Sequence, residues 1–163
     1  MKKFLSFKGT ITTIRDFYTG ENTKSIGCYK LMSVENENGD LVNFVVSPTT
    51  YFVDHVTMVP GDMVIGFYDG NAPVPLIFPP QYNAIVMARY SPYQNVKVDF
   101  FDNELVSSDN TLKLNIAPCT EILLENNQSF MQDPSNRYLI VVYGATTKSI
   151  PAQTVPYQII VMC

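Results

Sequence analysis

The 163-residue chain predicts an all-β protein built from two related halves, residues 1–90 and 91–163. Three observations carry that expectation. Helical periodicity is nearly absent, and short runs of alternating apolar and polar residues recur between clusters of Asn, Asp, Gly and Pro. In addition, residues 61–88 (GDMVIGFYDGNAPVPLIFPPQYNAIVMA) align without a gap with residues 136–163 (NRYLIVVYGATTKSIPAQTVPYQIIVMC) at an offset of 75. The segments share Ile65/Ile140, Tyr68/Tyr143, Tyr82/Tyr157, Ile85/Ile160, Val86/Val161 and Met87/Met162. A fixed internal period signals a repeated supersecondary unit. Nearly every shared position is apolar or aromatic, so the echo preserves packing and carries no acid, base, metal ligand or phosphate loop.

Taken in order, Phe7–Phe17 alternates and is rich in Thr and Ile, which suit an extended backbone. Tyr29–Glu35 and Leu41–Ser47 flank Glu37-Asn38-Gly39-Asp40, where Asn-Gly predicts a tight type I′ hairpin turn. Residues 48–60 admit one helical turn or a short strand. Gly61-Asp62 then turns the chain into a strand over Met63–Tyr68. Residues 69–80 (DGNAPVPLIFPP) hold four prolines, which cannot donate to a central ladder, so this stretch is a loop or an edge. Gln81–Tyr90 resumes as a strand, and Ser91–Asn95 reads as the junction between halves. Further strands are expected at Val96–Phe101, Glu104–Val106, Thr111–Ile116, Thr120–Leu124, Tyr138–Tyr143 and Pro156–Met162. The repeat predicts that Met63–Tyr68 with Asn83–Met87, and Tyr138–Tyr143 with Gln158–Met162, form similar antiparallel pairs with long intervening loops. Ala117-Pro118-Cys119-Thr120 echoes Ser47-Pro48-Thr49-Thr50 and extends the repeat upstream with a five-residue change in length.

The strand order of the first half, together with Val59-Pro60-Gly61-Asp62-Met63-Val64 at the entry to the fourth strand, resembles an OB-fold over roughly residues 7–90. That resemblance implies tandem OB-like small barrels, or one sandwich built from the two halves, with residues 69–80 where such barrels carry a functional loop. The stretch G-F-Y-D…P-P-Q-Y-x-A-I-V-M also resembles bacterial proteins of no assigned activity, which adds no function.

Charged residues make up only 16% of the chain, the net charge is −4, and Tyr (10), Phe (10) and Pro (11) are plentiful. Little like-charge repulsion opposes contact between copies, so self-association is expected. Nucleic acid is disfavoured as a partner because the eleven Lys and Arg are scattered, whereas a phosphate-tracking surface clusters them. No apolar run approaches the roughly 18 residues that span a bilayer. The basic start MKKFLSF is cut short by Lys8 and no small-residue cleavage site follows. The expectation is synthesis in the cytoplasm without a cleavable signal peptide.

Catalytic chemistry finds little support. His55 is the one histidine, and if extended, Asp54 and His55 point to opposite faces. Asp54, Asp62, Asp69, Asp99, Asp102 and Glu121 fall in or beside expected turns, where Asp caps its own backbone. No cofactor and no metal are expected, since Cys28, Cys119 and Cys163 lack ligand spacing. An odd number of cysteines leaves each of the three a candidate for a disulfide between subunits. The expected function is therefore a non-catalytic structural or self-assembling protein that forms homo-oligomers. The alternative is a module that binds a glycan, peptide or oligonucleotide through aromatics on an OB-like face, with Tyr68, Phe78, Tyr82 and Tyr90 as its binding residues. Exposure of those four in line on one groove would favour binding.

Overall fold

The computed structural model describes residues 1–20, 24 and 26–163. The protein is all-β, with several sheets. It divides into two compact units, Met1–Tyr90 and Ser91–Cys163. Among the described residues no helix is long and apolar enough to cross a membrane.

In the first unit β1 (Phe4–Asp16) serves two partners. Its first half pairs antiparallel with β5 (Met63–Asp69) and its second half with β2 (Lys30–Glu35). The β-branched run Thr10-Ile11-Thr12-Thr13-Ile14 keeps the backbone extended beyond Thr10, where the two ladders on opposite edges of β1 meet, and the β1–β2 ladder shifts register between Ile11 and Thr13. β2 forms the expected hairpin with β3 (Leu41–Val46), but the turn differs from type I′. Gly39 has φ +83° while Asn38 is not left-handed, and Gly39 N–H donates to Asn36 O at 3.1 Å. The Asn36 side chain instead closes a wider turn, its Oδ1 accepting from Asn38 N–H at 3.0 Å and Asp40 N–H at 2.9 Å.

Both alternatives for residues 48–60 occur in succession, as β4 (Tyr51–Phe52) and a 3-10 turn over Val53–His55. The strand expected at Gln81–Tyr90 is divided into β6 (Gln81–Asn83) and β7 (Val86–Arg89). β6 runs parallel to β3, whereas β7 runs antiparallel to β5 with β4 parallel on its other edge. The switch occurs between Ala84, whose N–H donates to Val45 O at 3.0 Å, and Ile85, whose N–H donates to Phe67 O at 2.8 Å. Ile11, Val34, Phe44, Val64 and Met87 are central to the core of this unit.

In the second unit β8 (Asn95–Phe101) and β13 (Gln158–Val161) flank β11 (Arg137–Tyr143), both antiparallel to it. β10 (Glu121–Leu124) lies parallel on β13. A short parallel pair joins β9 (Leu112–Leu114) to β12 (Ala152–Thr154), a strand the sequence reading missed. The strand expected at Glu104–Val106 is reduced to isolated bridges, Phe101↔Ser107 and Val106↔Lys113. Phe101, Leu112, Leu114, Leu139, Val141, Ile159 and Val161 form its core.

The two units repeat one pairing scheme. The series β1-β5-β7-β4 has its counterpart in β8-β11-β13-β10, and β3-β6 in β9-β12. The expected antiparallel strand pairs are present in both, but the ungapped alignment is wrong in the last strand. Phe67 stands opposite Val86 in one unit and Val142 opposite Gln158 in the other. Phe67 and Val142 lie 75 residues apart, Val86 and Gln158 only 72. The loop before the last strand is thus three residues shorter in the second unit, and Tyr82 corresponds to Thr154 while Tyr157 corresponds to Ile85. Two apolar strands reading I-V-M slide on one another at little cost in similarity, which is why the sequence match chose the wrong register.

Candidate functional site

The four aromatics expected to form a binding ladder are spread over three environments. Tyr68 and Tyr82 stack on each other, with ring centroids 3.9 Å apart and planes 7° from parallel. Both rest against the core of the first unit, and Tyr68 also meets Phe44 at 6.2 Å. Burial, with Tyr82 close by, pushes the Tyr68 hydroxyl up to about 12. Tyr90 lies elsewhere. Its N–H donates to Met63 O, at the opposite end of β5 and roughly 17 Å from Tyr68 at strand rise. Its ring carries Lys8 Nζ 3.9 Å from the centroid. Phe78 projects from the proline loop, 85% exposed. The four side chains therefore do not share one groove.

Among the described residues of its unit, the proline loop holds a run of exposed large apolar side chains. Val74, Leu76, Ile77 and Phe78 are 44%, 101%, 53% and 85% exposed. Its base is fixed. Asp69 Oδ1 accepts from Lys3 N–H at 3.1 Å and Asn71 N–H at 2.9 Å, Gly70 N–H donates to Lys3 O at 2.7 Å, and Asn71 Nδ2 donates to Met1 O at 2.9 Å. The hydrogen bonds from Asn71 and Lys3 hold the Asp69 carboxyl below the usual range. Four prolines restrict the loop's own backbone, so its apolar side chains are held out at low further entropy cost.

Asp62, Asp69 and Asp102 cap turns as their positions in the sequence suggested, whereas Asp99 and Glu121 lie in strands β8 and β10. Asp62 Oδ2 accepts from Val59 N–H at 2.9 Å, and Asp102 Oδ1 from Glu104 and Val106 N–H at 2.9 and 3.0 Å. Asp99 Oδ1 accepts from Ser108 Oγ at 2.6 Å, while Glu121 Oε1 meets Gln158 Nε2 at 3.4 Å. Asp54 and His55 sit together in the 3-10 turn, both exposed and both left-handed, with φ 61° and 54°. Among the described residues no three His, Cys, Asp or Glu gather as a metal site requires. Cys28, Cys119 and Cys163 are all exposed and unpaired, so the structure holds no disulfide among them.

Each unit has a cleft at the same place in its fold, where the exit of β5 or β11 meets the entry of the last strand. In the first unit it measures about 210 Å³ and is lined by Tyr68, Asp69, Ala72, Pro73, Val74, Tyr82, Asn83 and Ile85. In the second it is about 440 Å³, lined by Asn115, Gly144, Ala145, Thr146, Thr147, Gln153, Thr154, Val155 and Tyr157. Sequence reasoning missed the second cleft, because the ungapped repeat put Tyr157 in the place of Tyr82. A gap of three in that alignment would have revealed the exchange of Tyr82 for Thr154 that opens it. A third cleft of about 340 Å³ lies beside the β2–β3 turn, with Lys8, Glu35 and Glu37 on its walls.

No protein-family model, curated protein or solved structure matches the chain.

Proposed function

We propose that the chain is a non-catalytic structural protein, made of two small OB-like barrels, that associates with copies of itself through the proline loop of its first unit. The barrel reading is supported by the pairing order. From β1 the ladders run through β2 and β3 to β6, and from β1 through β5 to β7, while β6 and β7 are consecutive segments separated only by Ala84 and Ile85. Placing the consecutive segments β6 and β7 at distant points of one sheet curls that sheet toward a barrel, with β4 and β6 as its edge strands.

One observation carries the assembly reading: the row of exposed Val74, Leu76, Ile77 and Phe78 on a loop fixed at its base. Burying a Leu or Phe side chain contributes about 1.5–3 kcal/mol, so the loop residues of both copies together work against the ordering cost of association. A second copy fits as the partner because a surface poor in charge offers little repulsion to its own kind. Sedimentation velocity over a hundredfold range of concentration tests this. Wild-type protein should form a species larger than the monomer, and Leu76→Asp with Phe78→Asp should return it to monomer with an unchanged circular dichroism spectrum. Wild-type protein that stays monomeric throughout, or a double variant that still assembles, overturns the reading.

A further inference from the structure

The geometry points to a binding site for a neutral carbohydrate in the cleft of the second unit, a role separate from assembly and resting on different residues. Size is the first argument. At about 440 Å³ the cleft lies within the range of small-molecule sites, roughly 300–1,000 Å³. The matching cleft of the first unit, about 210 Å³, falls below it because the Tyr82 ring stacks on Tyr68 and fills the space. Thr154 stands where Tyr82 would be. Its hydroxyl donates to Ala145 O at 2.9 Å, and its short side chain leaves room where the first unit has a ring.

The chemistry of the lining is the second argument. No charged side chain lines the cleft, which makes it a poor receptor for a phosphate, a carboxylate or an ammonium group. The polar groups are amides and hydroxyls, suited to donate to and accept from sugar hydroxyls alike. Asn115 Nδ2 donates to Gln153 Oε1 at 3.1 Å, which fixes the two amides against each other and turns the Asn115 carbonyl and the Gln153 amino group toward other partners. Thr147 Oγ1 is held by Gln153 N–H at 2.9 Å and by Ser149 Oγ at 2.7 Å, so this wall is preorganised. Tyr157 supplies an aromatic surface that is 53% exposed and lies directly over Gly144. A Cβ at Gly144 would come within 2.2 Å of the Tyr157 hydroxyl, so the absence of a side chain there lets the ring lie across the strand. A flat apolar face flanked by fixed amides matches a pyranose, which presents C–H groups on one face and hydroxyls around its edge.

The test is a printed array carrying neutral, sialylated and sulfated glycans together with short peptides, probed with the fluorescently labelled full chain. Binding to neutral glycans is expected, weakened about tenfold or more by Tyr157→Ala and by Gln153→Ala. Thr146→Arg, at an exposed position, should block the cleft without touching the core. It keeps the test decisive if Tyr157→Ala perturbs folding. Leu76→Asp should keep the preference for neutral over acidic glycans even where loss of avidity lowers the signal, so failure of the assembly reading and failure of this one are separable. No binding to any neutral glycan, binding confined to acidic glycans or peptides, or binding indifferent to Thr146→Arg overturns the proposal.

Discussion

Thr50 and Thr120, seventy residues apart, make the same two hydrogen bonds. Each hydroxyl donates to a carbonyl two residues before the last strand of its unit, Ala84 O and Pro156 O, at 2.8 Å in both cases. Each also accepts from the N–H three residues earlier, Ser47 at 3.0 Å and Ala117 at 3.3 Å. The adjoining backbone bonds repeat too, Tyr51 N–H to Ile85 O at 2.9 Å and Glu121 N–H to Tyr157 O at 3.1 Å. A threonine thus pins the short strand β4 or β10 beside the strand that ends each unit. Thr50→Val and Thr120→Val keep the shape and strand propensity but leave a carbonyl and an N–H without this partner. Each should lose about 1–3 kcal/mol of unfolding free energy in denaturant titrations. A loss below about 0.5 kcal/mol at both sites would mean that water replaces the hydroxyl.

Gly66 faces the Phe44 ring across the core of the first unit. A Cβ built there would lie 2.5 Å from Phe44 Cζ and 2.6 Å from Cε2, closer than packed atoms approach. Phe44 is fully buried and cannot swing into solvent. Gly66→Ala should therefore destabilise by about 1–3 kcal/mol through overpacking. In a Phe44→Leu background the added methyl finds space, so the cost of Gly66→Ala should shrink in a double-mutant cycle. Equal costs in the two backgrounds would place the penalty in the backbone instead of the ring.

Asp109 gives the second unit a pH dependence with a definite sign. Burial opposes its ionisation, but hydrogen bonds from Lys97 Nζ at 2.7 Å, Ser107 Oγ at 2.7 Å and Thr111 outweigh that and hold the carboxyl well below the usual range. A lowered folded-state value means that the stabilisation is present above the unfolded value, near 3.9, and is lost as the pH falls through the folded one. Asp109→Asn should cost about 1 kcal/mol at pH 7, a figure discounted because the Asp109 side chain is half-exposed in its pair with Lys97. Wild type and variant should converge as the pH drops below about 4. A difference independent of pH from 7 to 2 would show that the charge is not what these partners recognise.

The class and strand inventory were legible because they follow from local chemistry. The Asn-Gly hairpin, the Gly61-Asp62 turn and the alternation at Val96–Phe101 each report on a few neighbouring residues, and each produced its element. What escaped was whatever depends on partners distant in sequence. β12 is three residues of Ala-Gln-Thr with no apolar signature, a strand only because Leu112–Leu114 lies beside it. The division of β6 from β7 reflects a change of partner at Ala84, and no residue at that point signals it. The aromatic candidates are dispersed for the same reason. Tyr68 and Tyr82 face the core whereas Tyr90 stands opposite exposed Met63, a difference set by strand register. The repeat was read correctly at Thr50/Thr120, where proline and threonine fix the frame, and incorrectly where only Ile, Val and Met were available to align.

The last prediction concerns Cys163. Met162 N–H donates to Tyr138 O at 3.1 Å, so the backbone is held to β11 one residue before the thiol, while the thiol itself is exposed. Cys28 and Cys119 are exposed as well, in turns of their own units. All three should react with a maleimide in native buffer, giving three adducts by mass without denaturant. An exposed thiol on a fixed strand margin is a candidate to link two copies, where a disulfide needs Cα atoms held about 4.4–6.8 Å apart. After mild oxidation, wild type should show a covalent dimer that reductant dissolves. Cys163→Ser should abolish that dimer while leaving the denaturation midpoint within about 0.5 kcal/mol of wild type, as for a surface substitution. A dimer that survives Cys163→Ser and disappears in Cys28→Ser or Cys119→Ser moves the link to a turn. No covalent dimer in wild-type protein under oxidation leaves the three thiols without a part in assembly.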